Sequence, residues 1–202
     1  MSVTVAAPRV LVETVRTAWV RDFALIAVAV AFIAGAAQVA ITLPFSPVPI
    51  TGQTFAVLLS GAALGTWRSA ISGTAYLVLA VLGLPVLAPQ ADGSHLTGIS
   101  VLGMASTGYL LGFIVGGMLV GKLAELGFSR RPLQAATSMV VGNLVIYSMG
   151  IPVLQAITGV DWATALQWGL YPFLIGDAIK IVLAAGLLPA AWAGMKLLHR
   201  PI

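Results

Sequence analysis

Six apolar runs, separated by short polar or proline-rich stretches, fill most of this 202-residue chain. A helix of about 20 apolar residues crosses the ~30 Å hydrocarbon core of a bilayer, so these runs approach the length of membrane spans. Only 8% of the residues are charged, whereas roughly 25% are charged in a soluble domain whose surface faces water. We therefore predict an all-α membrane protein built as a six-transmembrane-helix bundle.

The predicted spans cover residues 24–43, 53–65, 69–84, 107–123, 133–149 and 172–192. Residues 1–23 are predicted to form a cytoplasmic, interfacial segment, residues 24–194 the six-helix transmembrane domain, and residues 195–202 a cytoplasmic tail. The second run is short, at about 20 Å of helix, so it crosses only if the neighbouring loop dips into the membrane. That loop, residues 44–49, holds three prolines, and residues 85–105 form a long outer loop.

The distribution of basic residues supports six crossings. With six spans, one side of the membrane receives Arg9, Arg16, Arg21, Arg68, Lys122, Arg130, Arg131, Lys196 and Arg200, and only Lys180 lies elsewhere. Basic residues concentrate on the cytoplasmic side, so we expect both termini to be cytoplasmic. The net charge of +4 then reflects membrane topology and not a nucleic-acid partner.

Several function classes are disfavoured by the residues present. The chain has no cysteine, and its two histidines lie far apart in sequence, so we predict no metal site and no cofactor. No pairing of a nucleophile with a base is visible, which argues against an enzyme. No independent soluble domain fits beside the spans, so any ATP-driven step must be supplied by another chain.

An acidic and a basic residue, Asp177 and Lys180, lie inside the sixth apolar run. They are spaced i and i+3, on one face of a helix. An ionisable group at the bilayer centre costs at least about 2.5 kcal/mol, so such groups usually serve a pathway or a ligand. The alternative is a structural ion pair that only orients the helix. Pro172 suits a helix start, which places Asp177 in the outer half of the membrane, within reach of a polar-headed small molecule arriving from outside.

Five further polar residues are secondary candidates for ligand contact. Asn143 interrupts the fifth span and either makes an interhelical hydrogen bond or contacts a ligand. Gln53 and Thr54 open the short second helix and either cap it or line a pocket. Tyr109 heads the fourth span, where an interfacial aromatic residue is the commoner explanation. Asp92 lies in the long outer loop, where it is most simply solvated unless that loop acts as a lid.

Small residues recur at four-residue spacing, a pattern that lets helices approach closely. Most pairs are expected to serve packing inside the bundle: Gly61 with Gly65, Gly112 with Gly116, and Gly117 with Gly121. On the first helix, Ala27, Ala31 and Gly35 form a similar row. This row serves either internal packing or docking of a partner protein, and spacing alone does not choose between them.

Four motifs together resemble those of the BioY family, the biotin-binding S-components of energy-coupling factor (ECF) transporters. The motifs are PITGQTFAVLLSGAALG at 49–65, GLPVL at 83–87, GYLLGF at 108–113 and GDAIK at 176–180. The resemblance implies a six-helix protein of the inner, cytoplasmic membrane of a prokaryote that captures biotin from outside the cell. It also implies partnership with a coupling transmembrane protein and two ATPase subunits that use ATP.

The resemblance also implies roles for individual residues. In the family, the Asp and Lys of the GDxxK motif line the biotin site, which carries over to Asp177 and Lys180, with Gln53 and Tyr109 beside it. The small-residue row on the first helix matches the surface that contacts the coupling subunit. The chain departs from the family in its third outer loop. In the family this loop is usually glycine-rich and often contains an asparagine, whereas this chain has APQADGSH there. Gln90 or Asp92 is then expected to replace that contact.

A self-sufficient secondary transporter of biotin or of another small vitamin-like molecule is the alternative function. It requires ion-coordinating groups inside the membrane, and Asp177 is the only acidic residue predicted there. An inverted internal repeat, common among such transporters, is not evident in the sequence.

Overall fold

A computed structural model describes the backbone of residues 19–198 and the side chains of residues 19–195. This part of the chain is mostly helical, with helices α1 (Trp19–Gln38), α2 (Gln53–Leu64), α3 (Thr66–Val81), α4 (Thr107–Glu125), α5 (Pro132–Thr158), α6 (Trp162–Gly169) and α7 (Tyr171–Leu198). A 3₁₀ helix, Gly98–Gly103, precedes α4. Within the described residues, four stretches are long and apolar enough to cross a membrane: α1, α4, α5 and Trp162–Met195.

Helix α4 forms the centre of the bundle because glycines on its surface let its neighbours approach closely. A Cβ atom on Gly61 of α2 would lie 2.5 Å from the carbonyl oxygen of Gly117 on α4. A Cβ atom on Gly112 would lie 2.8 Å from the Cα of Ile146 on α5. The prediction that these glycines serve internal packing is confirmed, since no larger residue fits at either position without a backbone shift.

Polar contacts join the helix ends at one end of the bundle. Arg68, at the start of α3, pairs with Asp22 of α1 over 3.1 Å. The carboxylate of Glu125 at the end of α4 accepts a hydrogen bond from the first backbone amide of α3 over 2.8 Å. Trp192 of α7 donates its indole hydrogen to the hydroxyl of Ser129, just before α5. We call this the basic end, because Arg68 and the other described arginines lie there.

The proline-rich segment is not a loop, and that prediction was wrong. Residues Ala40–Leu43 (β1) and Ser46–Thr51 (β2) pair as an antiparallel hairpin, with Ala40 opposite Thr51. Both strands are edges of this two-stranded ribbon, so a proline can occupy a position whose missing amide hydrogen would face away from the partner. The all-α prediction therefore needs one correction, because a short β-hairpin lies at the end opposite the basic end.

Helix boundaries also differ from those predicted. Helix α1 ends at Gln38, before the predicted limit of 43, and α5 continues to Thr158 through an internal proline. Helix α6 lies between the fifth and sixth predicted spans, where no helix was predicted. Its first turn is capped by Asp161, whose carboxylate accepts hydrogen bonds from the backbone and hydroxyl of Thr164, and these bonds lower the pKa of Asp161.

The predicted terminal segments are covered only in part. Residues 1–18 of the predicted interfacial segment lie outside the described residues, and the segment's last residues form the first turn of α1. The predicted tail begins inside α7, which continues to Leu198. The division into segments 1–23, 24–194 and 195–202 stays a prediction.

Candidate functional site

A pocket lies between the β-hairpin, the segment that precedes α4, and helices α4, α5 and α7. About 660 Å³ of space lies inside this pocket and at its open mouth. Most of the lining is apolar or aromatic. The polar side chains in the lining, besides two tyrosines, belong to Thr51, Gln53, Thr54, Gln90, Ser106 and Lys180.

Asp177 is the centre of a buried polar cluster beside this lining. Helix α7 places Phe173, Asp177 and Lys180 at i, i+4 and i+7, on its inward face. The Oδ1 atom of Asp177 accepts hydrogen bonds from Thr54 Oγ1 at 3.2 Å and Lys180 Nζ at 3.0 Å, and Oδ2 accepts one from the hydroxyl of Tyr147. Asp177 is only 4% exposed. It is not a lining residue itself, but its three partners are.

The ammonium group of Lys180 has all three of its hydrogens engaged. It donates to the carbonyl oxygen of Thr51 at 2.9 Å, to Thr54 Oγ1 at 2.8 Å and to Asp177 Oδ1 at 3.0 Å. These bonds compensate the cost of removing the ammonium from water. Through Thr51, the last residue of β2, they also tie α7 to the hairpin.

Three buried aromatic rings form the inner wall of the pocket. Tyr109 and Phe173 stack with centroids 6.4 Å apart, and Tyr147 meets both rings edge-on. The hydroxyl of Tyr109 donates to the carbonyl oxygen of Gly169 at the end of α6 over 2.8 Å. A Cβ atom on Gly150 would lie 2.5 Å from the Tyr109 ring, so this glycine makes room for the ring. Helix α6, absent from the prediction, thus holds a pocket residue in place.

Gln53 lines the pocket and also links three elements near it. Its side-chain oxygen accepts a hydrogen bond from the hydroxyl of Thr51, and its amide donates to the hydroxyl of Tyr76 on α3 over 2.7 Å. Tyr76 in turn donates to the carbonyl oxygen of Val86 in the segment between α3 and α4. The start of α2 is therefore fixed to both the hairpin and the segment that borders the pocket.

The segment between α3 and α4 carries a buried stretch at Leu87 and Ala88, both in the pocket lining. The carbonyl oxygen of Leu87 lies 2.8 Å from His95 Nδ1 and accepts a hydrogen bond from Gln38 at the end of α1. A backbone bridge between Pro89 and His95 closes this part of the segment. The divergent stretch, for which a role as a lid was the alternative to a solvated loop, forms a compact turn.

The two candidates in this turn have different positions. Gln90 lines the pocket, and Asp92 lies in an exposed position outside the lining. The carboxylate of Asp92 accepts hydrogen bonds from the backbone and hydroxyl of Ser94, and these bonds lower the pKa of Asp92. Asp92 as a ligand contact stays a prediction, although the turn directs its carboxylate to Ser94.

Asn143 on α5 is buried but does not line the large pocket. It faces a smaller cavity whose lining includes Thr54 and Lys180. Its Oδ1 atom has no hydrogen-bond partner among residues 19–195. A buried acceptor without a partner costs about 1 to 3 kcal/mol.

The small-residue row of α1 is exposed at Ala27, Ala31 and Gly35. A Cβ atom on Gly35 would meet no atom within 4 Å. Internal packing, one of the two alternatives, therefore does not account for this row within the described part of the chain.

Sequence reasoning missed Tyr147 and Phe173 as site residues. Signals for both were present, because Tyr147 lies one helical turn from Asn143 and Phe173 lies one turn before Asp177. An aromatic residue in an apolar run does not stand out as a charge does. Both residues are recognised as site residues only in the structure, because both line the pocket.

A sequence profile described as the BioY family matches residues 7–197, nearly the whole chain. The chain belongs to the BioY family. The resemblance seen in the four motifs is thereby confirmed. As in other members of this membrane transporter family, several apolar helices indicate a multi-pass membrane protein of prokaryotes.

Curated relatives of this BioY chain carry consistent descriptions. The "Biotin transporter BioY" of Rhizobium etli is 34% identical over 165 residues, covering 78% of this chain and 85% of the relative. The protein of the same description from Thermotoga maritima is 38% identical over 145 residues, covering 72% and 81%. A solved structure described as the S-component for biotin from an ECF-type ABC transporter matches with a TM-score of 0.74 and 26% identity, covering 90% of this chain and 93% of that chain.

Proposed function

We propose that this BioY protein captures biotin from outside the cell, as the membrane-embedded substrate-binding subunit of an ECF-type transporter. The observation that carries this proposal is the pocket between the hairpin, α4, α5 and α7, with Lys180 and Thr54 in its wall. Family membership and the biotin-specific descriptions of the relatives support the same ligand. The protein is a binding subunit and not an enzyme.

Biotin suits the chemistry of this pocket. It has a compact bicyclic body, a ureido group with two N–H donors and one acceptor, and a carboxylate on an apolar tail. The aromatic wall of Tyr109, Tyr147 and Phe173 offers apolar surface to the ring system. Lys180 is the one charged side chain among the described residues of the lining. It is paired with Asp177, so contact with a ligand carboxylate requires its ammonium to release one of its three protein acceptors.

The proposed site residues fall into two groups. Lys180, Thr54, Gln53 and Tyr109 line the pocket and are proposed to contact biotin. Asp177 is proposed to affect biotin binding indirectly, because its carboxylate holds Thr54, Tyr147 and Lys180 in position by hydrogen bonds. These assignments rest on the geometry of the pocket and on the GDxxK motif.

We propose six membrane crossings, formed by α1, α2, α3, α4, α5 and α7, with both termini cytoplasmic. Helix α2 has 12 residues, about 18 Å, which is shorter than the ~30 Å hydrocarbon core. The hairpin that precedes it completes this crossing, because its last residue leads directly into α2. The basic end then faces the cytoplasm, and the pocket lies toward the outside.

The energy for transport is proposed to come from separate subunits: a coupling transmembrane protein and two ATPases that use ATP. The exposed small-residue row of α1 supports docking of the coupling protein, because small side chains let another helix approach closely. The docking residues are proposed to be Ala27, Ala31 and Gly35.

The direct test is equilibrium binding of radiolabelled biotin to the purified chain in detergent, with riboflavin and thiamine as competitors. We expect saturable binding that unlabelled biotin displaces and that the other two vitamins do not. No binding by a folded, monodisperse sample would remove biotin as the ligand. Uptake by cells that express this chain without any ATPase partner would instead favour the secondary transporter.

A further inference from the structure

A chain of hydrogen bonds runs from the polar wall of the pocket to the segment between α3 and α4. Lys180 donates to the carbonyl oxygen of Thr51, and the hydroxyl of Thr51 donates to Oε1 of Gln53. Nε2 of Gln53 donates to the hydroxyl of Tyr76 over 2.7 Å, and that hydroxyl donates to the carbonyl oxygen of Val86 over 2.9 Å. Tyr76 is 1% exposed and does not line the pocket, so the function proposed above assigns it no role.

The carbonyl oxygen of Val86 sets the direction of this chain of hydrogen bonds. A backbone carbonyl has no hydrogen to donate, so the single hydroxyl hydrogen of Tyr76 goes to it. The hydroxyl of Tyr76 therefore accepts from Gln53, whose side-chain amide can donate only through its nitrogen. Thr51 does not impose this order, because its hydroxyl can donate to an amide oxygen or accept from an amide nitrogen. Tyr76 is thus the residue that determines which end of the Gln53 amide faces α3.

The Val86 carbonyl is held in place by contacts that do not involve Tyr76. The backbone amide of Val86 donates to the carbonyl oxygen of Leu84 over 2.8 Å. The carbonyl oxygen of the next residue, Leu87, accepts from Gln38 and lies 2.8 Å from Nδ1 of His95. The Tyr76 hydroxyl therefore donates to an acceptor whose position is fixed independently.

Gln53 keeps part of its hydrogen-bonding capacity for a ligand. A side-chain amide has two N–H hydrogens and two oxygen lone pairs, and the side-chain contacts of Gln53 among residues 19–195 engage one of each. One N–H and one lone pair thus remain on a side chain that lines the pocket. A ligand with a C=O beside an N–H satisfies both at once, whereas a carboxylate only accepts and leaves the amide oxygen without a donor. The ureido group of biotin contains such a C=O and N–H pair.

We propose that Tyr76 is a positioning residue for ligand selectivity, because its hydroxyl fixes the Gln53 amide in the orientation that recognises an adjacent C=O and N–H of the ligand. This inference rests on the proposed function, in which that pair belongs to the ureido group of biotin. Tyr76 itself does not contact biotin. Without its hydroxyl the amide can turn over, since the Thr51 hydroxyl bonds to either end of it. Loss of the Tyr76 hydroxyl therefore weakens the distinction between ligands that accept and ligands that donate at this point.

The orientation of the Gln53 amide is tested without any ligand, by NMR of the full-length chain in detergent with ¹⁵N-labelled glutamine side chains. The Gln53 signal is identified by its loss in Gln53→Met. In the wild type we expect one Nε2 hydrogen to be shifted downfield by its hydrogen bond to Tyr76, and this shift to be lost in Tyr76→Phe. The variant retains the aromatic ring, so the ring's own effect on the signal is preserved. Tyr171→Phe, at an exposed position of α7, is the control and should leave the Gln53 signal unchanged.

Selectivity is tested with biotin and 2-iminobiotin, whose imino group donates hydrogen bonds where the ureido oxygen of biotin accepts them. Tyr76→Phe should weaken biotin binding about tenfold, the effect of losing roughly one hydrogen bond. Binding of 2-iminobiotin should stay within about threefold of the wild type, because the released amide can turn its oxygen toward the imino group. A role in folding alone would weaken both ligands alike. In the Gln53→Met background, Tyr76→Phe should change biotin affinity by less than about threefold, because Tyr76 acts through Gln53.

The outcomes separate this inference from the proposed function. An unchanged Gln53 signal, an unchanged biotin affinity, or an equal loss of both ligands in Tyr76→Phe would overturn the inference. A full loss of biotin affinity on adding Tyr76→Phe to Gln53→Met would mean that Tyr76 acts through Val86 alone, and would overturn it as well. Failure of the wild-type protein to bind biotin would overturn the proposed function and leave the NMR result on the amide orientation standing.

Discussion

The hydroxyl of Tyr147 on α5 donates a hydrogen bond to Oδ2 of Asp177 on α7, while Oδ1 of the same carboxylate accepts from Thr54 on α2. One carboxylate therefore ties three helices together next to the pocket. Each of these helices also contributes a partner of Asp177 to the pocket lining. The effect of Asp177 on ligand binding should consequently depend on its negative charge and on its ability to accept hydrogen bonds.

Asp177→Asn should weaken biotin binding by at least about 100-fold in a protein that still folds. The substitution removes the charge that compensates Lys180, and breaking a buried pair costs several kcal/mol. Asp161→Asn is the matched control, because Asp161 is exposed and outside the pocket lining, and asparagine caps a helix as well as aspartate does. Binding isotherms measure both. Wild-type affinity in Asp177→Asn, or an equal loss in Asp161→Asn, would contradict the assignment.

Tyr147→Phe should weaken biotin binding about tenfold, because it removes the hydroxyl that donates to Asp177 and keeps the aromatic wall. Tyr171→Phe, at an exposed position of α7, provides the control. The measurement is titration calorimetry in detergent. If Tyr147→Phe binds as tightly as the wild type while Tyr147→Ala does not, the ring alone matters and the hydroxyl has no role.

Site residues could be predicted from the sequence where their charge is unusual for the apolar residues around them. Asp177 and Lys180 are charges in an apolar run, and such charges are expensive unless they have partners. Their partners were harder to predict, because Thr51 and Tyr147 are unremarkable in a membrane helix or a turn. Which residues meet across helices depends on packing distances that a single sequence does not contain.

The long apolar helices of the fold could be predicted from the sequence, but two short elements could not. The hairpin was missed because three closely spaced prolines normally exclude strands, and an isolated two-stranded ribbon tolerates them. Helix α6 was missed because it has only eight residues, too few to establish a helical period in an apolar stretch. Both elements matter for the site, since the hairpin lines the pocket and α6 holds Tyr109.

Gly112→Ala should lower the melting temperature of the detergent-solubilised protein, because the new methyl group would lie 2.8 Å from the backbone of Ile146. Overpacking of this kind costs about 1 to 3 kcal/mol. Gly186→Ala on α7, where a Cβ atom meets nothing within 4 Å, should leave the melting temperature equal or higher. A thermal shift assay compares the two. An unchanged melting temperature in Gly112→Ala would mean that α4 and α5 separate easily.

Gly35→Leu should leave biotin binding by the isolated chain intact and reduce its co-purification with the coupling subunit and ATPases. The position faces outward, so the added side chain disturbs no contact inside the bundle. Gly186→Leu places the same side chain on another exposed position and should assemble normally. Normal assembly of Gly35→Leu would mean that the coupling protein docks elsewhere.

Ser46→Ala should release bound biotin several times faster than the wild-type protein. The hydroxyl of Ser46, at the tip of the hairpin, donates to the carbonyl oxygen of Trp168 on α6 over 2.9 Å. The same hydroxyl accepts from the backbone amide of Val48, a residue of the pocket lining. Its removal frees the outer edge of the pocket from α6, and the net loss of about one hydrogen bond should appear mainly in the dissociation rate.

The control for this prediction is Ser100→Ala. Ser100 is exposed, and its hydroxyl bonds only within its own 3₁₀ turn, to the carbonyl oxygen of Thr97. Stopped-flow release of a fluorescent biotin derivative measures both variants. Faster release in Ser46→Ala with an unchanged rate of association would place the hairpin among the elements that retain the ligand. Equal release rates in the two variants would mean that the hairpin keeps its position through β1 and the start of α2 alone, without its contact to α6.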